Sequence, residues 1–516
     1  MTGTTVVDRL KESSGRWPEH PALEDPQGAV SYRAMGERVA TLAAALGGGS
    51  SPVALCMTPS ATSILAYWSV LASGRPVVPL APSSGAGHLR EVCRLAGITT
   101  MLVGDTPADR PATAPPGVRV VSARELAAEG RPGRQRPGPT GDDPAYILFT
   151  SGSTGAPKGV VISHAAVDAY CRVSAEQSGI TVGDRASHQF AMTFDPSVFD
   201  TVTTLVSGAT VVVPGAAERR MPVAYVNGRK LTHWYSVPSV VTLAVKTRML
   251  AAGSMPTLRH SMFCGEPLTW NVADAWHKAA PQSRIANAYG PTELTVTCCY
   301  YQLPRSPEEW PREECDTVPI GSVNPGLEAV LLDEQEVVGR TEGELCVRGP
   351  QRLTTYLDAD DNVGRFLRSG GAPADAGTQR AAHADLYYRT GDRVRRTAAG
   401  LVYRQRVDRQ VKITGYRVDL VDVEVALRAC DGVDDAAAVT VETGLDKELV
   451  AFVTGRADES RLMRQAMAAL PRHMVPRRII ATPAFPLNGR GKVDHEKLTL
   501  LATHRRADLP GITQER

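Results

Sequence analysis

Short apolar runs alternate with amphipathic stretches in the N-terminal part of the chain. This alternation limits the available folds more than any other feature. "PVALCM", "PVVPLA" and "TTMLVG" read as short buried strands. "VVDRLKESSGRW" and "YRAMGERVATLAAAL" repeat apolar residues at helical spacing. Strands alternating with helices predict βαβ units and parallel sheet. The expected class is α/β: a large N-terminal domain of mixed sheets with helices.

With 516 residues the chain is long enough for more than one domain. Residues 105–144 are dominated by Pro, Gly and Arg, which predicts a surface connection without core. "RSGGAPADAGTQRAAHAD", 368–385, predicts a mobile surface loop. From Asp408 the pattern changes. "LVYRQRVDRQVKITGYRVDLVDVEVAL" suggests half-exposed strands, followed by further helices and strands. The expected boundaries are 1–407 for the large domain and 408–516 for a small α+β domain.

Several function classes are disfavoured. The charge of 57 basic against 55 acidic residues, net +2, is too balanced for a nucleic-acid surface. No run reaches the roughly 18 apolar residues of a membrane span, so no membrane role is expected. "MTGTTVVDRLKESSGRW" lacks a basic segment followed by an apolar one, so no signal peptide is expected. The nine cysteines form no C-x-x-C pair, which suits buried thiols in a reducing, cytoplasmic setting.

"YILFTSGSTGAPKGVVISH", 146–164, carries the first chemical signal. Gly admits close backbone approach, Ser and Thr donate hydroxyls, and Lys158 adds charge; such a loop suits phosphate oxygens. The usual G-x-x-x-x-G-K-[S/T] ending is absent, so an ordinary phosphate loop is excluded. The bland alternative is a solvated turn. Three further segments carry similar ambiguity. Glu293 in "NAYGPTELT" could hold Mg²⁺ against phosphate, or cap a helix. Asp392 in "YYRTGDRVRR" could accept two ribose hydroxyls, or form an Asx-turn. Lys492 in "PLNGRGKVDHEKL" could reach a ligand from an adjustable loop, or stay solvated.

In this order and spacing the four segments resemble the ANL superfamily of adenylate-forming enzymes. They look most like the amino-acid adenylation domains of nonribosomal peptide synthesis. "LASGRPVVPLAP", "QFAMTFDPSVFD", "GELCVRGPQRLTTYL", "VDRQVKITGYRVDLVDVE" and "LPRHMVP" match further core segments, so the resemblance covers nearly the whole chain. It implies a ligase that makes an aminoacyl-AMP from ATP with release of pyrophosphate. The small domain would then turn, and the acyl group would pass to a phosphopantetheine thiol.

The resemblance also implies residue roles. Thr150, Ser151, Gly152, Ser153, Thr154 and Lys158 would grip the β- and γ-phosphates. Thr292 would meet the α-phosphate and Glu293 would hold Mg²⁺. Gly265, Glu266 and Pro267, with Asn287, Ala288 and Tyr289, would line the adenine slot, Tyr289 stacking on the base. Asp392 would take the ribose hydroxyls with Arg406 nearby. Lys492 would bridge the substrate carboxylate and ribose oxygen. Asp408 would be the hinge, and Gly415 would enter the site after rotation.

By the same mapping Asp195 would pair with the substrate ammonium. A buried carboxylate without a cationic partner is costly, so an ammonium ligand explains such a residue; the alternative is a helix N-cap in "DPS". Pro196, Phe199, Ser239, Met262, Cys264, Ala288, Val296 and Thr297 would complete an uncharged pocket. Such a pocket suits a bulky neutral or aromatic amino acid. A β-amino acid stays open, since Asp195 could meet an amine one carbon further out.

Departures from the family pattern are Gln405 before Arg406, where Gly is usual, and the long 368–385 segment. No carrier domain with its Gly-Gly-x-Ser site follows Lys492, and "LGGGSS" at 46–51 reads as a helix-ending turn. The acceptor expected is a separate carrier protein in natural-product (antibiotic) biosynthesis. Some family members also need a small MbtH-like protein. The alternative readings are an acyl- or aryl-CoA ligase of the same superfamily, against which Asp195 argues, and a nucleotide-binding regulator without turnover.

Overall fold

A computed structural model describes residues 4–106, 109–111, 113–128, 138–150, 157–333, 338–339, 341–368, 372, 374–380, 382–413, 415–443, 446–456, 458–487 and 493–504. The chain divides into two compact units. The larger comprises Met1–Pro82, Val92–Phe149 and Lys158–Val407; the smaller comprises Ser83–Glu91, Thr150–Pro157 and Asp408–Arg516.

The apolar runs of the sequence become parallel strands. Val53–Cys56 lies between Val77–Leu80 and Thr100–Val103. Every residue on the first two strands is buried, which explains continuous apolar runs rather than alternation. The two helices form at Val6–Arg16 and Tyr32–Leu46. Thr5 and Asp8 cap the first reciprocally, each side chain accepting from the other's backbone N–H. Gly47, at φ 68°, ends the second, as "LGGGSS" suggested.

Two expectations about loops need correction. Within 105–144, Arg119–Ser122 adds a parallel strand beside Thr100–Val103, and the helix Ala123–Ala128 buries Ala123 and Leu126. Val120 and Val121 favour a strand, but the surrounding Pro and Gly hide so short a signal. In 368–385, Gln379 is buried and pins its surroundings. Its side-chain oxygen accepts from Gly364 and Phe366 N–H, and its amide donates to Ala374 O. Arg352 donates to Ala382 O and His383 O. The described part of that segment is anchored by contacts distant in sequence.

Three sheets build the larger unit. A seven-stranded sheet holds the strands above with Pro144–Thr150, Lys158–Ser163 and Thr355–Tyr356. A nine-stranded sheet has a parallel centre in which His233–Ser236, His260–Phe263 and Arg284–Tyr289 are neighbours. The third sheet joins Glu342–Arg348 to Tyr387–Thr397, which pairs with Gly400–Arg406.

In the smaller unit Gln410–Ile413 and Tyr416–Asp419 form a two-stranded ladder. Val433–Thr443 and Asp446–Gly455 pair antiparallel, and Arg478–Ala481 joins the latter in parallel. Ala436 and Ala438 pack with Leu427 and Leu462 on one face. Ala437, Val439 and Val441 pack with Leu498 and Ala502 on the other. A sheet covered on both faces explains the unbroken "AAAV" run. The architecture is α/β, a large N-terminal domain with a small α+β C-terminal one.

Candidate active site

Tyr289 ends a strand of the nine-stranded sheet, and Asp392 lies on Tyr387–Thr397 of the third sheet. The Tyr289 hydroxyl donates to Asp392 Oδ2 at 2.5 Å, and Arg406 Nη1 donates to Oδ1 at 2.7 Å. Asp392 and Arg406 face one another across the hairpin. Burial, reinforced by the Asp392 carboxylate, pushes the Tyr289 phenol well above its usual range, so it remains a donor. Asp392 makes no Asx-turn; the Thr390 hydroxyl accepts from Asp392 N–H instead. The ion pair is buried, its side chains 4% and 7% exposed.

Asn287 lies two residues before Tyr289, on the same face of the strand. Its amide donates to Val318 O and Pro319 O. Only its oxygen is left to meet another group. Gly265, at φ 88°, turns the chain after His260–Phe263. Glu266 accepts from Ser239 N–H at 2.9 Å, linking an expected adenine residue to an expected pocket residue. Pro267 is exposed.

Glu293 sits inside the single 3₁₀ turn Thr292–Leu294, whose N-cap is Pro291, so it is not the cap. Its carboxylate is buried and accepts from the Tyr356 hydroxyl at 2.6 Å. Tyr356 pairs with Val160 on the strand that Lys158 opens. The Lys158 ammonium meets Asp361 Oδ1 at 2.6 Å. Thr292, Glu293 and the Lys158 strand are therefore brought together. Tyr356 and Asp361 were missed by sequence reasoning; Tyr356 is the penultimate residue of a recognised segment, but nothing local links it to Glu293.

Among the described residues no three His, Cys, Asp or Glu side chains gather in a metal-holding group. A single carboxylate fits a Mg²⁺ that takes its other oxygens from phosphate and water.

Among the expected pocket residues, Met262 lies on the strand His260–Phe263 and Cys264 directly follows it, while Ala286 and Ala288 share one face of the next strand. Phe199, Met262, Cys264, Ala288 and Val296 belong to one packed cluster. Thr297 is buried, as are Asp195 and Pro196. Asp195 precedes the helical turn Phe199–Thr203, whose N-cap is Val198, so Asp195 does not cap it.

Thr295 and Val296 occupy left-handed backbone, φ 54° and 70°, a strained state for a β-branched residue. A buried amide network holds it. Gln351 donates to Thr297 O at 2.9 Å, Asn324 donates to Thr297 O at 2.8 Å and to Gln351 Oε1, and Thr295 donates to Gln351 O. Gly290 allows the turn to approach; a Cβ there would lie 2.6 Å from Thr297 Cα.

Thr150 ends Pro144–Thr150. Ser151, Gly152, Ser153, Thr154 and Lys492 lie outside the described residues. Asp408 lies in the smaller unit, its carboxylate accepting from Gln410 N–H.

Residues 10–357 match the AMP-binding enzyme family, and 422–492 match the AMP-binding enzyme C-terminal domain. The chain belongs to the AMP-binding enzymes. It is an adenylation domain of the ANL superfamily and an adenylate-forming ligase. This AMP-binding enzyme is 32% identical over 521 residues to phosphinothricin tripeptide synthetase PhsC of Streptomyces viridochromogenes. That match covers 96% of this chain and 45% of PhsC, so the chain spans less than half of that relative. It is 30% identical over 523 residues to the L-proline--[L-prolyl-carrier protein] ligase of Pseudomonas fluorescens, covering 94% of this chain and 97% of that one. The crystal structure of IdnL7 is 34% identical with TM-score 0.68, covering 97% of this chain and 99% of that one.

Proposed function

We propose that this AMP-binding enzyme activates a neutral amino acid with a bulky or aromatic side chain to its aminoacyl-AMP. It then transfers the aminoacyl group to the phosphopantetheine thiol of a separate carrier protein. The observation that carries this reading is Asp195, a carboxylate 4% exposed. It is felt by Tyr146 and Tyr170, which belong to the apolar cluster of Phe199, Met262 and Cys264. A carboxylate in such surroundings suits a substrate ammonium better than a hydrocarbon acid.

ATP would lie between the Lys158–Glu293 group and the Tyr289–Asp392–Arg406 group. Lys158 would exchange Asp361 for phosphate. Glu293, held by Tyr356, would present one oxygen to Mg²⁺, which supplies positive charge at the phosphates. Asp392 would accept the ribose hydroxyls, and Lys492 would bridge the substrate carboxylate and ribose. Positioning and charge account for the catalysis of such a displacement. The domain boundary would fall at 407/408, with Asp408 as hinge of a mobile small domain.

A carrier as acceptor is supported by the prolyl-carrier ligase relative, and a natural-product setting by the tripeptide synthetase relative. A cytoplasmic setting is supported by nine buried cysteines, none of them in a disulfide. No helix among the described residues is long and apolar enough to cross a membrane.

Intact-mass measurement of a phosphopantetheinylated carrier, incubated with enzyme, ATP and single amino acids, tests the reading. An aminoacyl mass increment is expected with a neutral amino acid. Thioester formation on coenzyme A from acids lacking an amine, with no carrier loading, would favour the CoA-ligase alternative.

A further inference from the structure

Three tyrosines of the larger unit are completely or almost completely buried: Tyr146, Tyr170 and Tyr235. None of their hydroxyls makes a hydrogen bond of good geometry among the described residues, although Tyr170 faces the Thr297 side chain and Tyr235 that of Ser178. Buried tyrosine hydroxyls nearly always find a partner, because an unmet one loses its hydration for nothing. Three together need an explanation.

Their placement supplies one. All three belong to the large hydrophobic core that also holds Phe199, Met262, Cys264, Ala288 and Val296. The Tyr235 ring lies 3.9 Å from the Phe199 ring, centroid to centroid. Tyr170 is common to the set, since both Tyr146 and Tyr235 feel it electrostatically. Tyr170 sits on the helix His164–Ser178, beside the Thr297 hydroxyl and within electrostatic reach of Cys264 and Asp195. Those last three residues come from separate segments, and all were assigned to the substrate pocket. Tyr170 was not, because nothing in the helix "HAAVDAYCRVSAEQS" separates it from core.

We infer that Tyr170 is a specificity-determining residue whose hydroxyl hydrogen-bonds the side chain of the amino acid. The inference rests on the proposed amino-acid activation and narrows its substrate class to neutral side chains carrying a hydroxyl or carboxamide. A hydrocarbon side chain leaves the Tyr170 hydroxyl without a well-formed bond in the complex as in the free enzyme. A charged side chain meets no counter-ion among the named pocket residues, whose one charge, Asp195, is engaged by the ammonium. A phenol, an aliphatic hydroxyl or a carboxamide can donate to or accept from Tyr170. A site built around such a bond rejects the isostere that lacks it far more strongly than an apolar pocket rejects an extra methylene.

The test is amino-acid-dependent ATP–pyrophosphate exchange by the full chain on near-isosteric pairs: tyrosine and phenylalanine, threonine and valine, glutamine and methionine. For the pair used best, the polar member is expected to exceed its partner in kcat/KM by at least about tenfold. Tyr170→Phe is expected to bring that ratio down by about tenfold while leaving the KM for ATP unchanged. It should also change the Tm of the free enzyme little, because the hydroxyl it removes makes no well-formed hydrogen bond there. A purely structural hydroxyl would lower Tm and leave the ratio alone. If Tyr170→Phe does not fold, Thr297→Val gives a second reading of the same ratio. Preference for the hydrocarbon member, or a ratio unmoved by the substitution, overturns the inference alone. Absence of exchange with every amino acid overturns it together with the proposed function.

Discussion

The Tyr289 hydroxyl donates to the Asp392 carboxylate at 2.5 Å, bridging two separate sheets. The bond joins segments 103 residues apart and orients the carboxylate proposed to receive ribose. Tyr289→Phe removes one charge-assisted bond and should cost about 1–3 kcal/mol in denaturant unfolding. Asp392→Ala also removes the carboxylate of the buried Arg406 ion pair and should cost more, about 3–5 kcal/mol. Both should raise the KM for ATP.

Gln351 supports the strained turn at Thr295 and Val296. Gln351→Leu leaves the Thr297 carbonyl with one donor fewer and removes the acceptor of an Asn324 amide bond. An expected loss of about 2–3 kcal/mol follows from breaking a buried network. The amino-acid KM should rise more than the ATP KM, because this turn carries the proposed pocket residues Val296 and Thr297. Parallel titrations of the two substrates check the split.

Lys158 is held by Asp361 at 2.6 Å. Asp361→Asn removes the competing charge and should lower the KM for ATP, whereas Lys158→Ala should raise it at least about tenfold. Tyr356→Phe should raise the Mg²⁺ concentration needed for half-maximal exchange, because Glu293 loses its orienting donor.

Burial drives His164 and His233 down to about 4, and His260 well below its usual value. Their folded pKa values lie below the unfolded value of about 6.5. Their stabilisation is therefore full above pH 6.5 and lost as pH falls from there towards 4. At pH 5.5 each should forfeit about 1.4 kcal/mol. Urea unfolding at pH 7.5 and 5.5 should show this loss, reduced by about that amount in His164→Leu.

The parallel strands were legible because their residues are buried on both faces, so apolar runs mark them directly. Asp392, Glu293 and Asp195 stood out as candidates because their segments match a known family. Tyr356, Asp361, Gln351 and Tyr170 did not. Tyr356, Asp361 and Gln351 meet partners far away in sequence, and a Tyr in an apolar helix or a Gln after Pro reads locally as packing. The anchoring of 374–383 by Gln379 and Arg352 was hidden for the same reason. Composition there describes a loop, while the bonds that hold it come from other elements.

The central claim is that Asp195 receives the ammonium of an amino acid during adenylation. It is tested most directly by pyrophosphate exchange with the best amino acid and with its des-amino acid, in wild type and in Asp195→Ala. The account predicts exchange with the amino acid only, falling at least about a hundredfold in Asp195→Ala through loss of a buried charge pair. Exchange supported equally by the des-amino acid and unchanged in Asp195→Ala would contradict it.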